Sequence, residues 1–291
     1  MSLVNIGALS LETECCGTED APVILLIQGL GTPLTRWPQP LVDRLVGSGY
    51  RVIRFDNRDI GLSSRLDALD VPPLARFLAG RIPAPPYTLA DMAADAIALL
   101  DALRIEKAHV VGASMGGMIG QIIAARHSAR CLSLTSIMSS SGNPLLPPPT
   151  PAAQQALVAP LPFPHGEKVI VRDAIRRQQT LMSPGYPTPE AELEAMFTFE
   201  FRRGFHPAGV ARQLAALMTG GDQRPLLAGI RVPVMVLHGK EDPLIPLACG
   251  VDVAKAIPTA ELWALPGMGH DFPFALMPRF AEAILLAARR A

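Results

Sequence analysis

The chain has 291 residues, 49% of them hydrophobic, and its 26 basic residues balance its 26 acidic ones. This length suits one large α/β domain, or one domain with an inserted subdomain, and it can bury a substantial core. The zero net charge and the lack of a Lys/Arg-rich run argue against a nucleic-acid or acidic-lipid partner and favour a small neutral molecule.

The N-terminal stretch MSLVNIGALSLETECCGTED has no basic segment followed by an apolar stretch, so we expect no signal peptide and a cytoplasmic protein. No apolar run reaches the roughly 18 residues of a membrane span, so no membrane partner is expected. The four cysteines fit this compartment as free thiols. No H-E-x-x-H or paired C-x-x-C pattern indicates a metal, and we expect no cofactor.

Short apolar runs recur along the chain, and each ends in glycine, asparagine, serine or aspartate. Their continuous hydrophobicity is typical of strands buried on both faces of a parallel sheet. The runs are VILLIQG, RVIRFDNRD, AHVVGAS, CLSLTSIMSS, VPVMVLHGKED and AELWALPGMG. Helical spacing of apolar residues lies between them, as in TLADMAADAIALLDALRI, where Thr88 and Asp91 predict an N-cap. The alternation predicts an α/β fold with a mostly parallel sheet and helices on both faces.

One region, residues 141–222, interrupts this alternation. It begins rich in proline and continues with three helical patterns, HGEKVIVRDAIRRQQTLM, PEAELEAMFTFEFRRG and PAGVARQLAALM. Structureless loops of such length are rare inside compact domains, so we predict an inserted helical subdomain between core segments 1–140 and 223–291. We expect its aromatic side chains, together with several leucines and methionines, to build an apolar, partly closed pocket. The aromatic residues are Phe163, Tyr186, Phe197, Phe199, Phe201 and Phe205.

The stretch HVVGASMGGMIGQ places Ser114 among Gly112, Gly116 and Gly117, at the junction of a predicted strand and a predicted helix. The glycines are compatible with an ordinary tight turn, in which they supply unusual dihedral angles. They also match G-x-S-x-G, a strained strand-to-helix turn that exposes a nucleophilic serine. The motif alone is weak evidence for a nucleophile, so other parts of the chain are needed to distinguish it from an ordinary turn.

Two further residues with catalytic side chains follow predicted strands. Ligands of open α/β sheets bind outside the carboxyl ends of the strands. Ser114 follows HVVGA, Asp242 follows VMVLHGKE, and His270 follows LWALPGMG. This order, Ser then Asp then His, is the order found in α/β-hydrolases.

Taken with QGLG, FDNRDIGLS, GASMGG, HGKEDPLIP and GMGHDFP, the chain resembles the α/β-hydrolase superfamily and, within it, serine carboxylesterases of the aclacinomycin-methylesterase type. The resemblance implies an α/β-hydrolase fold with residues 141–222 as a helical cap. It also implies an oxyanion hole made by the amides of Met115 and Leu30. Many relatives have histidine where this chain has Gln28, and we expect the glutamine to brace the loop through hydrogen bonds. The charged residues of FDNRDIGLS are interpreted as structural rather than catalytic.

Acyl transfer needs a specific role from each member of the triad. A serine hydroxyl such as that of Ser114 is a weak nucleophile until a base takes its proton. His270 is the candidate base, and Asp242 would hold its ring in the correct tautomer. Glu241 is a rival acid, but the family pattern places the carboxylate immediately before PLIP.

The sequence therefore predicts a serine carboxylesterase that cleaves small to medium hydrophobic esters. A serine at the elbow argues against the aspartate-dependent dehalogenases and epoxide hydrolases of this fold. A carbon–carbon bond hydrolase and a cofactor-free perhydrolase remain as alternative enzymes. A small-molecule receptor with a retained triad is the alternative without catalysis.

Overall fold

The computed structural model describes residues 1–72, 84–161, 163 and 166–291. Residues 73–83 of the predicted core, and 162, 164 and 165 of the predicted insert, lie outside the described residues.

The described strands form one sheet in the order β1-β2-β4-β3-β5-β6-β7-β8. Pairings β1 with β2 and β2 with β4 are antiparallel, and all other pairings are parallel. The six predicted strands are confirmed as β3 to β8, and β1 and β2 were not predicted. The strands are β1 (Ser2–Asn5), β2 (Ser10–Cys16), β3 (Val23–Ile27), β4 (Arg51–Phe55), β5 (Ala108–Ala113), β6 (Cys131–Ile137), β7 (Val234–Gly239) and β8 (Ala260–Leu265).

Helices cover both faces of this sheet, which confirms the predicted fold class. Within the described ranges, none is both long and apolar enough to cross a membrane. The helices are α1 (Gln39–Gly47), α2 (Leu89–Ala102), α3 (Met115–Arg126), α4 (Pro151–Val158), α5 (Glu167–Leu181), α6 (Glu190–Gly204), α7 (Pro207–Met218), α8 (Arg224–Leu227), α9 (Leu247–Ala256) and α10 (Met277–Arg289).

The alternation of side chains along β3 separates the two cores. Val23, Leu25 and Ile27 pack with α2 and α3 on one face. Ile24 and Leu26 pack with α1 and α10 on the other. All five side chains are buried, as the continuous apolar run predicts for a central parallel strand.

The chain direction across the sheet reverses at β3, which lies between β4 and β5. The loops after β3 and β5 therefore leave the same edge of the sheet in opposite directions. Such a switch point opens a crevice at the carboxyl ends of the strands, where ligands bind in open α/β folds. Gln28 begins the loop after β3, and Ser114 immediately follows β5.

Helices α4 to α7 lie between β6 and β7, and two buried ion pairs join them to the loop after β4. Arg203 of α6 lies 2.7 Å from Asp56, with side-chain exposures of 6% and 0%. Arg212 of α7 donates two hydrogen bonds of 2.8 Å to Asp59, and both side chains are fully buried. Burial by itself would raise the pKa of Asp59, but the bonds from Arg212 hold it below its ordinary value. These charged residues thus tie the helices to the sheet.

Candidate active site

Ser114 occupies a strained turn between β5 and α3. Its backbone has φ 54° and ψ −120°, a region that costs a non-glycine residue about 1–3 kcal/mol. The neighbouring glycines permit the close packing that holds this turn. A Cβ on Gly112 would lie 2.0 Å from the carbonyl oxygen of Gly116, and one on Gly116 would lie 2.1 Å from that of Ile27. A side chain at either position would force the turn apart.

The three predicted catalytic residues lie in hydrogen-bonding contact. His270 Nε2 is 3.1 Å from Ser114 Oγ, and His270 Nδ1 is 2.8 Å from Asp242 Oδ2. An ionised carboxylate can only accept, so the proton belongs on Nδ1, and Nε2 is left to accept from the serine hydroxyl. This is the arrangement in which an imidazole can act as a general base toward the hydroxyl.

Backbone amides fix the orientation of the Asp242 carboxylate. Its Oδ1 accepts from the amides of Leu244 and Ile245 at 2.9 and 2.8 Å, which leaves Oδ2 for the imidazole. The rival acid Glu241 points elsewhere, because its Oε2 accepts from the Gly267 amide at 2.6 Å. Of these two adjacent carboxylates, only Asp242 contacts His270.

The two predicted oxyanion-hole amides are free to donate. Among the described residues, neither Leu30 N nor Met115 N has a hydrogen-bond acceptor, whereas the amides of Gly29, Gly31 and Ser114 each have one. Met115 is also the first residue of α3, where the helix dipole favours negative charge. Two free amides beside a nucleophile can stabilise the oxyanion of a tetrahedral intermediate.

The loop after β3 is held from two sides. Gln28 Oε1 accepts from the Gly29 amide at 3.1 Å and from Thr32 Oγ1 at 3.2 Å, the bracing that the sequence predicted. Gln213 of α7 is fully buried, and its Oε1 accepts from the Gly31 amide at 2.9 Å. Sequence reasoning missed Gln213, which lies in a helical pattern where a polar residue is expected to face solvent.

A network of hydrogen bonds joins the loop that carries His270, residues 266–272 (the base loop), to the turn after α5, residues 181–186 (the insert turn). The backbone contributes His270 N to Leu181 O at 2.7 Å and Gly185 N to Gly267 O at 2.9 Å. Ser183 contributes the rest, since its Oγ accepts from Gly269 N at 2.8 Å while its hydroxyl and amide donate to Asp271 Oδ1. Burial raises the pKa of Asp271, and the bonds from Ser183 oppose this rise. The insert turn thereby positions the base loop.

Ser114 and His270 lie in the wall of a cavity of about 650 Å³, which is lined mostly by apolar side chains. The described helices α4 to α7 contribute Leu157, Leu181, Leu193, Met196 and Leu217, and the core contributes Leu244, Ile245, Phe272 and Phe274. A cavity of this size and character suits a small to medium apolar ligand. Nowhere in the described ranges, the cavity included, are three His, Cys, Asp or Glu side chains grouped to hold a metal ion.

Leucine and methionine side chains of residues 141–222 line the cavity as expected, but the aromatic side chains expected beside them do not. None of the six is among the described lining residues. The Arg36 guanidinium carbon lies over the Phe197 ring, 4.9 Å from the ring centroid. The ring centroids of Phe201 and Phe205 are 5.0 Å apart. Leu193 and Met196 line the cavity, while Phe197 and Phe201, one and two turns after Leu193 on the same stripe of α6, pack with Leu193 in the apolar cluster that includes Val171 and Ile175 of α5.

Comparison with known proteins gives a consistent set of similarities. The model of the alpha/beta hydrolase fold family matches residues 22–182. Rhodomycin D methylesterase of Streptomyces sp. (strain C5) is 31% identical over 302 residues, which cover 94% of this chain and 92% of that protein. 3-Oxoadipate enol-lactonase 2 of Acinetobacter baylyi is 29% identical over 242 residues, covering 83% and 79%. The crystal structure of the enol-lactonase from Burkholderia xenovorans LB400 matches with a TM-score of 0.76 at 25% identity, over 99% of this chain and 100% of that one.

Proposed function

Since the chain belongs to the α/β hydrolase fold family, we propose that it is a serine carboxylesterase that cleaves small to medium hydrophobic esters through an acyl-enzyme. One observation carries the proposal: the line of contacts from Asp242 through His270 to Ser114 lies at an apolar cavity. The similar proteins include a methylesterase and an enol-lactonase, whose names both denote cleavage of an ester bond.

Acylation follows from the contacts of the three side chains. Ser114 Oγ attacks the ester carbonyl carbon while His270 Nε2 takes its proton. The carbonyl oxygen becomes an oxyanion and accepts hydrogen bonds from the amides of Leu30 and Met115. When the intermediate collapses, the C–O bond to the alcohol breaks, and His270 returns the proton to the departing alcohol. Asp242 stabilises the imidazolium throughout.

Deacylation uses the same groups on water. His270 Nε2 takes a proton from a water molecule, whose oxygen attacks the acyl carbon. The second oxyanion accepts hydrogen bonds from the same two amides. The proton then returns to Ser114 Oγ as the carboxylic acid leaves. The cycle consumes one ester and one water and requires no cofactor.

Residues 141–222 are proposed to act as a cap that selects the substrate, while segments 1–140 and 223–291 carry the chemistry. Support comes from the apolar side chains that α4 to α7 contribute to the cavity. Leu193 and Met196 are therefore better targets than the aromatic residues for changing chain-length preference. One methylene of fit is worth about 1–3 kcal/mol, so alanine at either position should shift preference by tens of fold.

The test combines turnover with covalent labelling. A panel of p-nitrophenyl esters of increasing acyl length should reveal multiple turnovers, with a preference for medium chains. After treatment with a fluorophosphonate, peptide mass spectrometry should find the label on Ser114. A label on another serine would contradict the mechanism, and tight binding of esters without turnover would favour the small-molecule receptor.

A further inference from the structure

The side-chain nitrogen of Gln28, Nε2, has no role in holding the fold together or in the proposed reaction. The residue is only 2% exposed, and it lines the cavity that contains Ser114. Among the described residues, its Nε2 has no hydrogen-bond partner. The carboxamide is thus a buried donor at the substrate cavity.

The orientation of this carboxamide follows from its neighbours. The Gly29 amide can only donate, and it lies 3.1 Å from Gln28 Oε1, which also accepts from Thr32 Oγ1 at 3.2 Å. Exchanging the oxygen and nitrogen would set two N–H donors against each other. The network therefore requires the oxygen to face the loop, which leaves the N–H₂ group as the one without an acceptor.

A second polar group without a partner lies on the same connection between β3 and α1. The buried Thr35 hydroxyl has no hydrogen-bond partner among the described residues, and Thr35 lines the same cavity. Leaving a buried polar group unpaired costs about 1–3 kcal/mol, so such groups call for a ligand or an ordered water. Two such groups in a mostly apolar cavity wall indicate a place where a polar atom of a ligand binds.

Gln28 is next in sequence to a residue that packs on Ser114, at the proposed site of bond cleavage. Gly29, the residue after Gln28, packs on the nucleophile: a Cβ added there would lie 3.2 Å from Ser114 Cβ and 3.7 Å from its Oγ. Leu30, the next residue, offers one of the two free amides. The Gln28 donor therefore belongs to the same short loop that would bind the scissile carbonyl.

We propose that Gln28 Nε2, assisted by the Thr35 hydroxyl, binds a second oxygen of the substrate, and that the preferred esters carry a carbonyl, ether or hydroxyl oxygen near the scissile carbonyl. This rests on the proposed esterase function and narrows its substrate class. A site built to donate to an oxygen rejects the analogue that lacks it, because the donor is then buried without a partner.

Pairs of esters that differ by one oxygen in place of a CH₂ group test the proposal. Phenyl 3-methoxypropanoate and phenyl pentanoate form one pair, and 2-methoxyethyl and butyl benzoate form another, so the acyl and alcohol sides are examined separately. The ratio of kcat/KM within at least one pair should favour the oxygenated ester. Gln28→Met should lower that ratio about three- to tenfold, the range expected for one neutral hydrogen bond.

Thr32→Val provides the matched control. It removes the Thr32 bond to Gln28 Oε1 and loosens the loop, but it leaves the Nε2 donor in place. It should slow the two esters of a pair equally. A ratio that is the same in the wild type and Gln28→Met would overturn the proposal, because the donor would then serve only water.

A binding measurement makes the test independent of turnover. The Ser114→Ala variant is titrated with the same ester pairs by calorimetry, and the oxygenated member should bind about three- to tenfold more tightly. Equal dissociation constants in both pairs would refute the oxygen contact. Tighter binding without any hydrolysis by the wild type would support the contact while refuting the esterase function, so the two failures are distinguishable.

Discussion

Replacing Arg212 by methionine is expected to lower the free energy of unfolding by about 3 kcal/mol. Arg212 and Asp59 are fully buried and share two hydrogen bonds of 2.8 Å. Removing one partner of a buried pair costs about 3–5 kcal/mol, since the other charge loses its compensation. The lower end applies here, because Asp59 keeps bonds from the Tyr87 hydroxyl at 3.0 Å and the Leu66 amide at 2.7 Å.

The same substitution should also slow catalysis, because the ion pair holds α7 against the loops of the site. Gln213, the next residue of α7, donates to the Arg58 carbonyl at 2.9 Å and accepts from the Gly31 amide at 2.9 Å. A displaced α7 would loosen the loop that contains Leu30. We expect kcat to fall by a similar factor for every ester, since an oxyanion hole serves all of them.

Equilibrium unfolding in urea, followed by the fluorescence of the two tryptophans, measures the loss of stability. The matched control is Arg202→Met. Arg202 also donates two hydrogen bonds of 2.8 Å to one carboxylate, that of Glu167, but its side chain is 67% exposed. This control should leave the unfolding midpoint unchanged. Adding Asp59→Asn to Arg212→Met should recover part of the loss. The reasoning fails if Arg212→Met is as stable as Arg202→Met.

Five further substitutions test the site and its surroundings. Ser114→Ala should reduce kcat toward esters by up to about 10⁶-fold, and activity near the wild-type level would exclude Ser114 as the nucleophile. Asp242→Asn should reduce kcat about 10⁴-fold and Glu241→Gln less than tenfold; the opposite ranking in the same assay would transfer the orienting role to Glu241. Ser183→Ala should reduce kcat about tenfold with little change in KM, whereas a change in KM alone would place Ser183 in substrate binding. Burial lowers the pKa of His238, so the unfolded chain binds its proton more strongly, and stability to urea should decrease as the pH falls below about 6.5. His238→Gln should flatten this dependence, and an unchanged slope would rule out His238 as a cause.

The central part of the fold could be predicted because its signals are strong and local. Each of β3 to β8 follows from a continuous apolar run, and the Thr88 cap predicted the start of α2, where Thr88 Oγ1 accepts from Asp91 N at 3.2 Å. The antiparallel strands β1 and β2 gave no such signal. Most of β1 is exposed, and β2 contains three consecutive polar residues, Glu12, Thr13 and Glu14, so neither resembles a buried parallel strand.

The candidate triad could be predicted from residue type, order and position after strands, but the groups that support it could not. Gln213 and Ser183 lie in the chain between β6 and β7, far in sequence from the loops they contact. Arg212 is fully buried, although a charged residue in an amphipathic helix is expected to face solvent. Such contacts depend on how distant segments pack together, which a local pattern does not contain.

The close backbone contact between the insert turn and the base loop limits which substitutions the protein can accept. A Cβ on Gly185 would lie 2.8 Å from the Cα of Gly267, and one on Gly267 would lie 3.1 Å from the Cα of Gly185. A mutation that gives either glycine a side chain would push the turn away from the loop that carries His270, and no second mutation at the partner could relieve the clash, since glycine is already the smallest residue. We therefore expect substitutions that change ligand preference to be tolerated better at positions such as Leu193 and Met196, where the cavity wall can change without moving His270, than at this contact.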